Sequence, residues 1–293
     1  METVGLVGVG KIGFVIAENL IKSGYRVLGY RRSSLADFEK IGGVAAKSPV
    51  EIGKQCDIVL SCVGSTEAMD EVINGTDGLI HSARPGQIIV ELGSHPIPDK
   101  EKHVATLAKK GAVYLDGEVS GTPGMVSARK AVIYLAGDAA AAKKIEPTVK
   151  GFADLCIYFG PFGGASKVKL INNLLVAINI AAAAEAMALG LKAGVDVDAM
   201  IKAVANGSGG STQFGIRAPW MAQRRFQPVQ GSSHLLEHYF GMIDTWADST
   251  GTATPLFDRA KEVYAKVAQM GLDKDYDIAI TIDAVNAMPR KKS

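Results

Sequence analysis

Three cysteines in 293 residues, with no C-x-x-C pair among them, exclude a disulfide-stapled scaffold and a cysteine-held zinc site. Cys56, Cys62 and Cys156 read instead as reduced, buried thiols of a cytoplasmic protein. An excess of charge is also missing. The 32 basic and 30 acidic residues leave a net charge of +2, so no nucleic-acid partner is expected. His234-Leu-Leu-Glu-His238 carries two histidines at helical spacing but lacks the H-E-x-x-H order, and no metal is expected. No basic-then-apolar leader precedes the first apolar run. The fold is therefore expected to start near residue 3, and Arg290-Lys-Lys-Ser293 to be a solvated end. Internal repeats and low-complexity segments are absent as well.

What is present starts at once. An apolar run from Thr3 breaks into Gly8-Val9-Gly10-Lys11-Ile12-Gly13. Glycines at this spacing permit a tight turn, a close backbone approach to a pyrophosphate, and close packing of a helix on the preceding strand. The helix expected over residues 12–23 would aim its unpaired N–H groups and positive dipole end at that ligand. A second extended segment, residues 25–30, ends in Arg31-Arg32-Ser33, where an NAD-type site would carry an acid for the ribose 2′-hydroxyl. Guanidinium groups pair with a 2′-phosphate, so the expected cofactor is NADP rather than NAD.

Short β-rich runs alternate with helical stretches through the first half, which predicts βαβ units and a mostly parallel sheet. Strands are expected at 3–9, 25–30, 58–63, 87–92, 113–117 and 131–137. Ligands in such sheets bind off the carboxyl ends of the strands. Gly8, Gly10, Arg31–Ser33, Val63, Gly64 and Ser94 are therefore expected to line one crevice. β-Rich runs stop near Phe159, and the rest reads as helices, among them 196–206, 235–249 and 255–270. The first of the second half, 170–191, is apolar almost all round and long enough to span a bilayer. Its Asn172, Asn173, Asn179 and Glu185 favour a central buried helix, and no membrane association is expected.

Two further elements carry chemistry. In Asp116-Gly-Glu-Val-Ser-Gly-Thr-Pro-Gly124, backbone N–H groups around Ser120, Gly121 and Thr122 are candidates for an anion-binding concavity, with the Ser120 hydroxyl as an extra donor. A good turn that binds nothing is the alternative. In Lys169-Leu-Ile-Asn-Asn173, Lys169, Asn172 and Asn173 share one helix face, while Lys167 is expected to face elsewhere. A lysine heading an apolar helix loses solvation, which eases proton donation to a developing alkoxide. A snorkelling lysine beside capping asparagines is the other reading.

Together these motifs resemble the β-hydroxyacid dehydrogenase family, over nearly the whole chain. Gly8–Gly13 is similar to its cofactor motif, with Ile12 where methionine is frequent. Asp116, Val119, Ser120 and Gly121 match its substrate motif, which Gly117-Glu118 and Thr122-Pro123 depart from. Gly160, Gly163, Lys169, Asn172 and Asn173 match its catalytic motif, and Ala165 replaces a glycine. The resemblance implies a Rossmann-type doubly wound α/β domain (1–162) and an all-α domain (163–293) joined by a long interdomain helix. It also implies a homo-oligomer, dimer or tetramer, packed through the helical part. Implied in turn are Lys169 as general acid/base and Ser120 and Asn173 on the substrate, with Gly121 and Thr122 as donors. Ser94 is implied near the nicotinamide. The family's late Lys-Asp pair falls at His238-Tyr239, which makes His238 a substrate-side residue whose charge depends on pH. The implied reaction is hydride transfer between NADP and a small 3-hydroxy acid or its aldehyde or ketone. Imine reduction on the same architecture and a non-catalytic dinucleotide-binding protein are alternatives that Lys169 argues against.

Overall fold

The computed structural model describes residues 2–289, and the basic run Arg290-Lys-Lys-Ser293 lies outside them. The chain divides into two compact units, Met1–Lys169 and Leu170–Ser293. The division falls inside one continuous helix, Gly164–Lys192.

The first unit is a Rossmann-like α/β domain. Its eight strands are β1 (Thr3–Val7), β2 (Arg26–Tyr30), β3 (Val44–Ala45), β4 (Ile58–Ser61), β5 (Ile88–Glu91), β6 (Val113–Ser120), β7 (Val132–Ala136) and β8 (Leu155–Tyr158). They form one sheet in the order β3-β2-β1-β4-β5-β6-β7-β8. Neighbours run parallel except β6 and β7, which are antiparallel. Successive side chains of a strand point to opposite faces. Ile58 and Leu60 accordingly enter one apolar cluster and Val59 another, and Ile88, Val90 and Ile89 divide the same way. Both faces are covered, which explains why β4 and β5 read as continuous apolar runs.

The helix after β1 spans Lys11–Lys22 and starts from Gly10. Ile16, Ala17 and Leu20 form its buried stripe against the sheet. Ser23 closes it by donating its N–H to Asn19 O at 2.9 Å, and Gly24, at φ +89°, turns the chain into β2.

Several boundaries differ from expectation for identifiable reasons. β6 runs on to Ser120 rather than stopping at Gly117, because β7 pairs antiparallel with its second half from Asp116↔Ala136 to Ser120↔Val132. β3 has only two residues, too few for a periodic signal, and β8 lies in a segment with no assigned strand. The expected helix 235–249 is two helices, Ser233–Glu237 and Phe240–Thr250. At the junction Tyr239 N–H donates to Leu236 O at 3.0 Å, a tighter turn than α-helical bonding allows. Of the cysteines only Cys56 is buried, whereas Cys62 and Cys156 are partly exposed.

The second unit is helical. Ala177, Ala184 and Met187 of the long helix are sealed in one apolar cluster with Phe257, Tyr264 and Val267. The Tyr264 hydroxyl donates to Ala177 O at 2.8 Å, so the buried phenol is satisfied. The long helix is apolar and long enough to cross a membrane by length and composition, and 44% of its most apolar window is buried within the protein.

Candidate active site

The glycine turn at the end of β1 is built as its spacing requires. Gly8 adopts φ +95°, and a Cβ there would lie 2.2 Å from Cys62 O. A Cβ on Gly13 would lie 2.2 Å from Gly8 O, so the helix can seat against the turn only with glycine at this position. Gly10 would meet nothing within 4 Å, which leaves its side open to a ligand. Gly8, Val9 and Gly10 line a cleft of about 930 Å³ at the carboxyl ends of β1, β2 and β4. Lys11 and Ile12 are on the first turn of the helix and do not line it. Gly8→Ala is expected to weaken dinucleotide binding by at least about tenfold, since the αL strain and the clash with Cys62 O fall on the same turn. Fluorescence titration with reduced dinucleotide checks this, and unchanged affinity would place the binding element elsewhere.

Arg31, Arg32 and Ser33 line the same cleft, with Val63 and Gly64 across from them. The two arginines are held differently. Arg31 donates to Val9 O at 3.0 Å, to Ser34 O and to the Asp37 carboxylate. That guanidinium hydrogen bond holds the Asp37 carboxyl below its usual range. Arg31 thus braces the loop after β2, while Arg32 and Ser33 are exposed at its rim. Sequence reasoning missed Lys47, Ser48 and Ser65 on the cleft wall. Lys47 and Ser48 follow the two-residue β3, which gave no signal. Ser65 is legible as the N-cap of helix Thr66–Asn74, its Oγ accepting from Ala68 N at 3.2 Å. Cys62 also lines the cleft, and burial, with Glu91 and Glu118 adding to it, pushes its thiol up to about 12.

A buried polar cluster lies beneath β5 and β6. Lys100, fully buried on helix Ile97–Ala108, donates to Asp116 Oδ1 at 3.0 Å, Glu118 Oε1 at 3.0 Å and Ser166 Oγ at 3.1 Å. Ser166 in turn donates its N–H to Asp116 Oδ2 at 2.9 Å and its hydroxyl to Asp116 Oδ1 at 2.6 Å. Ser94, expected on the crevice with the glycine turn, is not among the residues that line the cleft; its Oγ donates to Glu118 Oε2. Burial alone would lower the Lys100 ammonium pKa, but the Glu118, Asp116 and Glu91 carboxylates outweigh it and hold it above the ordinary lysine value. For Glu118 burial dominates and raises the carboxyl above its usual range, while Lys100, Lys169 and Ser94 pull the other way. Glu91 and His95, both buried, face each other at 3.6 Å in the same region.

Lys169 is 8% exposed, and its Nζ donates to Val119 O at 2.7 Å. Lys167, two positions earlier, is exposed, so the helix separates the two lysines as expected. Ser120 ends β6 and is partly exposed with Gly121 and Thr122. The Thr122 hydroxyl accepts from Met125 N at 3.4 Å and caps the short helix Pro123–Ser127, so it is already used within the turn. In the helical unit Asn173 is buried and accepts from Asn172 Nδ2 at 3.1 Å. His238 is exposed in the turn between two helices, its ring edge-on to Tyr239 at 5.5 Å. Among the described residues no group of three or more His, Cys, Asp or Glu is placed to hold a metal ion.

Comparison with known proteins agrees with this construction. Residues 3–160 match the family model of the NAD binding domain of 6-phosphogluconate dehydrogenase. Residues 163–284 match that of the NAD-binding domain of NADP-dependent 3-hydroxyisobutyrate dehydrogenase. L-threonate dehydrogenase of Cupriavidus necator is 31% identical over 282 residues, covering 95% of each chain. NAD-dependent L-serine dehydrogenase of Pseudomonas aeruginosa is 25% identical over 287 residues, covering 95% of this chain and 96% of the relative. The crystal structure of 3-hydroxyisobutyrate dehydrogenase from Salmonella typhimurium superposes with a TM-score of 0.84 at 25% identity, covering 97% of this chain and 99% of that one. With a dinucleotide cleft after β1 and a buried helix lysine bonded to the end of β6, the chain belongs to the β-hydroxyacid dehydrogenase family, the oxidoreductases that include 3-hydroxyisobutyrate dehydrogenase.

Proposed function

We propose that this dehydrogenase is NADP-dependent and interconverts a small 3-hydroxy acid with its aldehyde or ketone, using Lys169 as general acid/base. The observation that carries the reading is Lys169 itself, nearly buried and hydrogen-bonded to Val119 O beside the start of the Ser120-Gly121-Thr122 turn. The dinucleotide fits the cleft because the missing Cβ atoms at Gly8 and Gly13 leave the turn tight and Gly10 leaves its approach open. Bound NADPH supplies the hydride. The Lys169 ammonium donates a proton to the oxygen of the carbonyl as negative charge develops there, and in oxidation the neutral amine accepts the hydroxyl proton. Val119 O orients the lysine by accepting one of its N–H donors. Ser120 and the Gly121 N–H are the donors assigned to the substrate carboxylate in this reading. Asn173 and His238 are the other residues assigned to the substrate in this reading.

The preference for NADP rests on the loop after β2. Its arginines replace the acid that a ribose 2′-hydroxyl would need, and Arg31 is committed to Asp37, Ser34 O and Val9 O. Arg32 is therefore the side chain assigned to the 2′-phosphate. Arg32→Ala is expected to raise the KM for NADPH by roughly 10- to 100-fold, the worth of a charge-assisted hydrogen bond, and to leave the KM for NADH unchanged. Initial rates with both cofactors against glyoxylate, succinate semialdehyde and methylmalonate semialdehyde measure this. L-threonate and L-serine, named for two relatives, serve as substrates in the oxidative direction. Equal use of NADH by the wild-type chain, or an Arg32→Ala effect common to both cofactors, would overturn the NADP assignment. Failure to turn over any hydroxy acid or aldehyde acid would overturn the substrate class.

A further inference from the structure

A third cation stands in the dinucleotide cleft. Lys47 lines it together with Arg31, Arg32 and Ser33. β3 pairs with β2 at Leu28↔Val44 and Gly29↔Ala45, and one residue further Ala46 N–H donates to Gly29 O at 2.9 Å. Lys47 therefore leaves the sheet next to the point where Arg31 leaves it, although the two are far apart in sequence. The main chain there is fixed. Lys47 N–H donates to Glu51 Oε2 at 2.7 Å, and Glu51 N–H donates at 3.4 Å to the Oγ of Ser48, the N-cap of helix Pro49–Gln55. This reciprocal cap spends a Glu51 oxygen on the backbone rather than on the ammonium. Among the described residues the exposed Lys47 side chain has no ion pair or hydrogen bond.

The charges of the cleft are sorted along the sheet order β3-β2-β1-β4. Its cations follow β2 and β3, whereas Glu67 and Glu71 stand on helix Thr66–Asn74 after β4, and Asp77 comes after that helix. An anion is therefore favoured at the β2–β3 end. A phosphate monoester carries a charge of about −1.5 to −2 near neutral pH. Arg31 is spent on Asp37, Ser34 O and Val9 O, so Arg32 alone would leave a large part of that charge unmatched. We infer that Lys47 is the second cation of the 2′-phosphate site and sets, with Arg32, the preference for the phosphorylated dinucleotide. The inference rests on the NADP reading above, in which Arg32 takes the same phosphate. Arg32 supplies a planar fork from the β2 side, and Lys47 supplies a compact charge from the β3 side.

The test compares dissociation constants for NADPH and NADH, read by cofactor fluorescence on the full chain. Adenosine diphosphoribose, which lacks both the 2′-phosphate and the nicotinamide, is measured by calorimetry and reports whether the cleft is intact. Lys47→Met removes the charge and Lys47→Glu reverses it. The side chain is exposed and the cap uses only the main-chain N–H of Lys47, so both variants are expected to fold. Lys47→Met is expected to weaken NADPH about tenfold, the worth of one charge-assisted hydrogen bond, with NADH and adenosine diphosphoribose within about twofold of wild type. Lys47→Glu is expected to weaken NADPH by about 100-fold or more, because attraction becomes repulsion at the same place. An NADPH preference that survives both exchanges overturns the inference and leaves Arg32 as the one cation of the site. Equal weakening of all three ligands also overturns it, since Lys47 would then support the cleft as a whole. The NADP reading fails separately. A wild-type chain that binds NADPH and NADH equally refutes that reading and the inference with it. A wild-type preference lost in Arg32→Ala but kept in both Lys47 variants refutes the inference alone.

Discussion

Replacing Lys169 with alanine is expected to lower kcat by about 10²–10⁴, the range for loss of a positioned general acid, while dinucleotide affinity changes less than about threefold. The separation follows from the geometry. The ammonium bonds to Val119 O at the end of β6, whereas the glycine turn that shapes the dinucleotide cleft follows β1, with β4 and β5 between the two strands. Stopped-flow hydride transfer at saturating cofactor and substrate isolates the chemical step from product release. Lys169→Arg is the informative companion, because it keeps the charge but gives up its proton far less readily. It is expected to remain within about tenfold of the alanine variant. Near wild-type turnover in Lys169→Ala would reject Lys169 as the acid and move the search to Ser120.

Lys100→Met is expected to be the most destabilising exchange in the first unit. It leaves Asp116 and Glu118 buried beside each other without their shared cation, a loss of about 3–5 kcal/mol for a broken buried pair. For a unit of this size the midpoint of thermal unfolding should drop by roughly 6–20 °C, read by circular dichroism. The deficit should also depend on pH. In the wild-type chain the folded Glu118 carboxyl sits above its unfolded value, so its contribution is complete below the ordinary glutamate pKa and is lost as pH rises through the folded one. Lys100, also raised, contributes fully below the ordinary lysine pKa and loses that contribution only as pH rises beyond it. Without the lysine the Glu118 carboxyl binds its proton more tightly still, and Lys100→Met should recover part of its loss near pH 5 relative to pH 8. A loss under about 1 kcal/mol at neutral pH, flat with pH, would show that water reaches the cluster and neutralises it.

Most of the first unit is written in local pattern. The glycine spacing after β1, the apolar β4 and β5 and the arginine pair after β2 each depend on residues within a few positions, so periodicity and turn chemistry suffice to find them. β6 was partly legible. Its first half opens with a short apolar run, but Gly117-Glu118-Val119-Ser120 is held extended by pairing with β7, which no local rule reports. Lys100 was invisible. It lies in Asp99-Lys100-Glu101-Lys102-His103, a charged run that reads as a solvated helix face, and its partners are 16, 18 and 66 residues away. One signal did exist. Asp116, Glu118 and Ser120 alternate along a strand with covered faces, so three polar side chains share one side of it and need partners there. Lys169 was found because its polarity contrasts with the apolar helix that it heads. The position of His238 in a turn was not, because Leu235 to Phe240 holds no glycine or proline to mark a break there.

The closed bonding of Lys100, Asp116, Glu118 and Ser166 has a consequence for how this chain can change. Loss of Lys100 strands two buried carboxylates, and loss of Asp116 strands the two donors of Ser166. Variation at Lys100 must therefore come in combinations that keep charge and hydrogen bonds balanced, such as loss of the lysine together with both acids. Evolution and protein engineering alike therefore meet these scattered codons as one composite character, inherited or exchanged as a set. A loop graft that carries Asp116 and Glu118 into another scaffold without Lys100 would import two buried carboxylates and leave their cation behind.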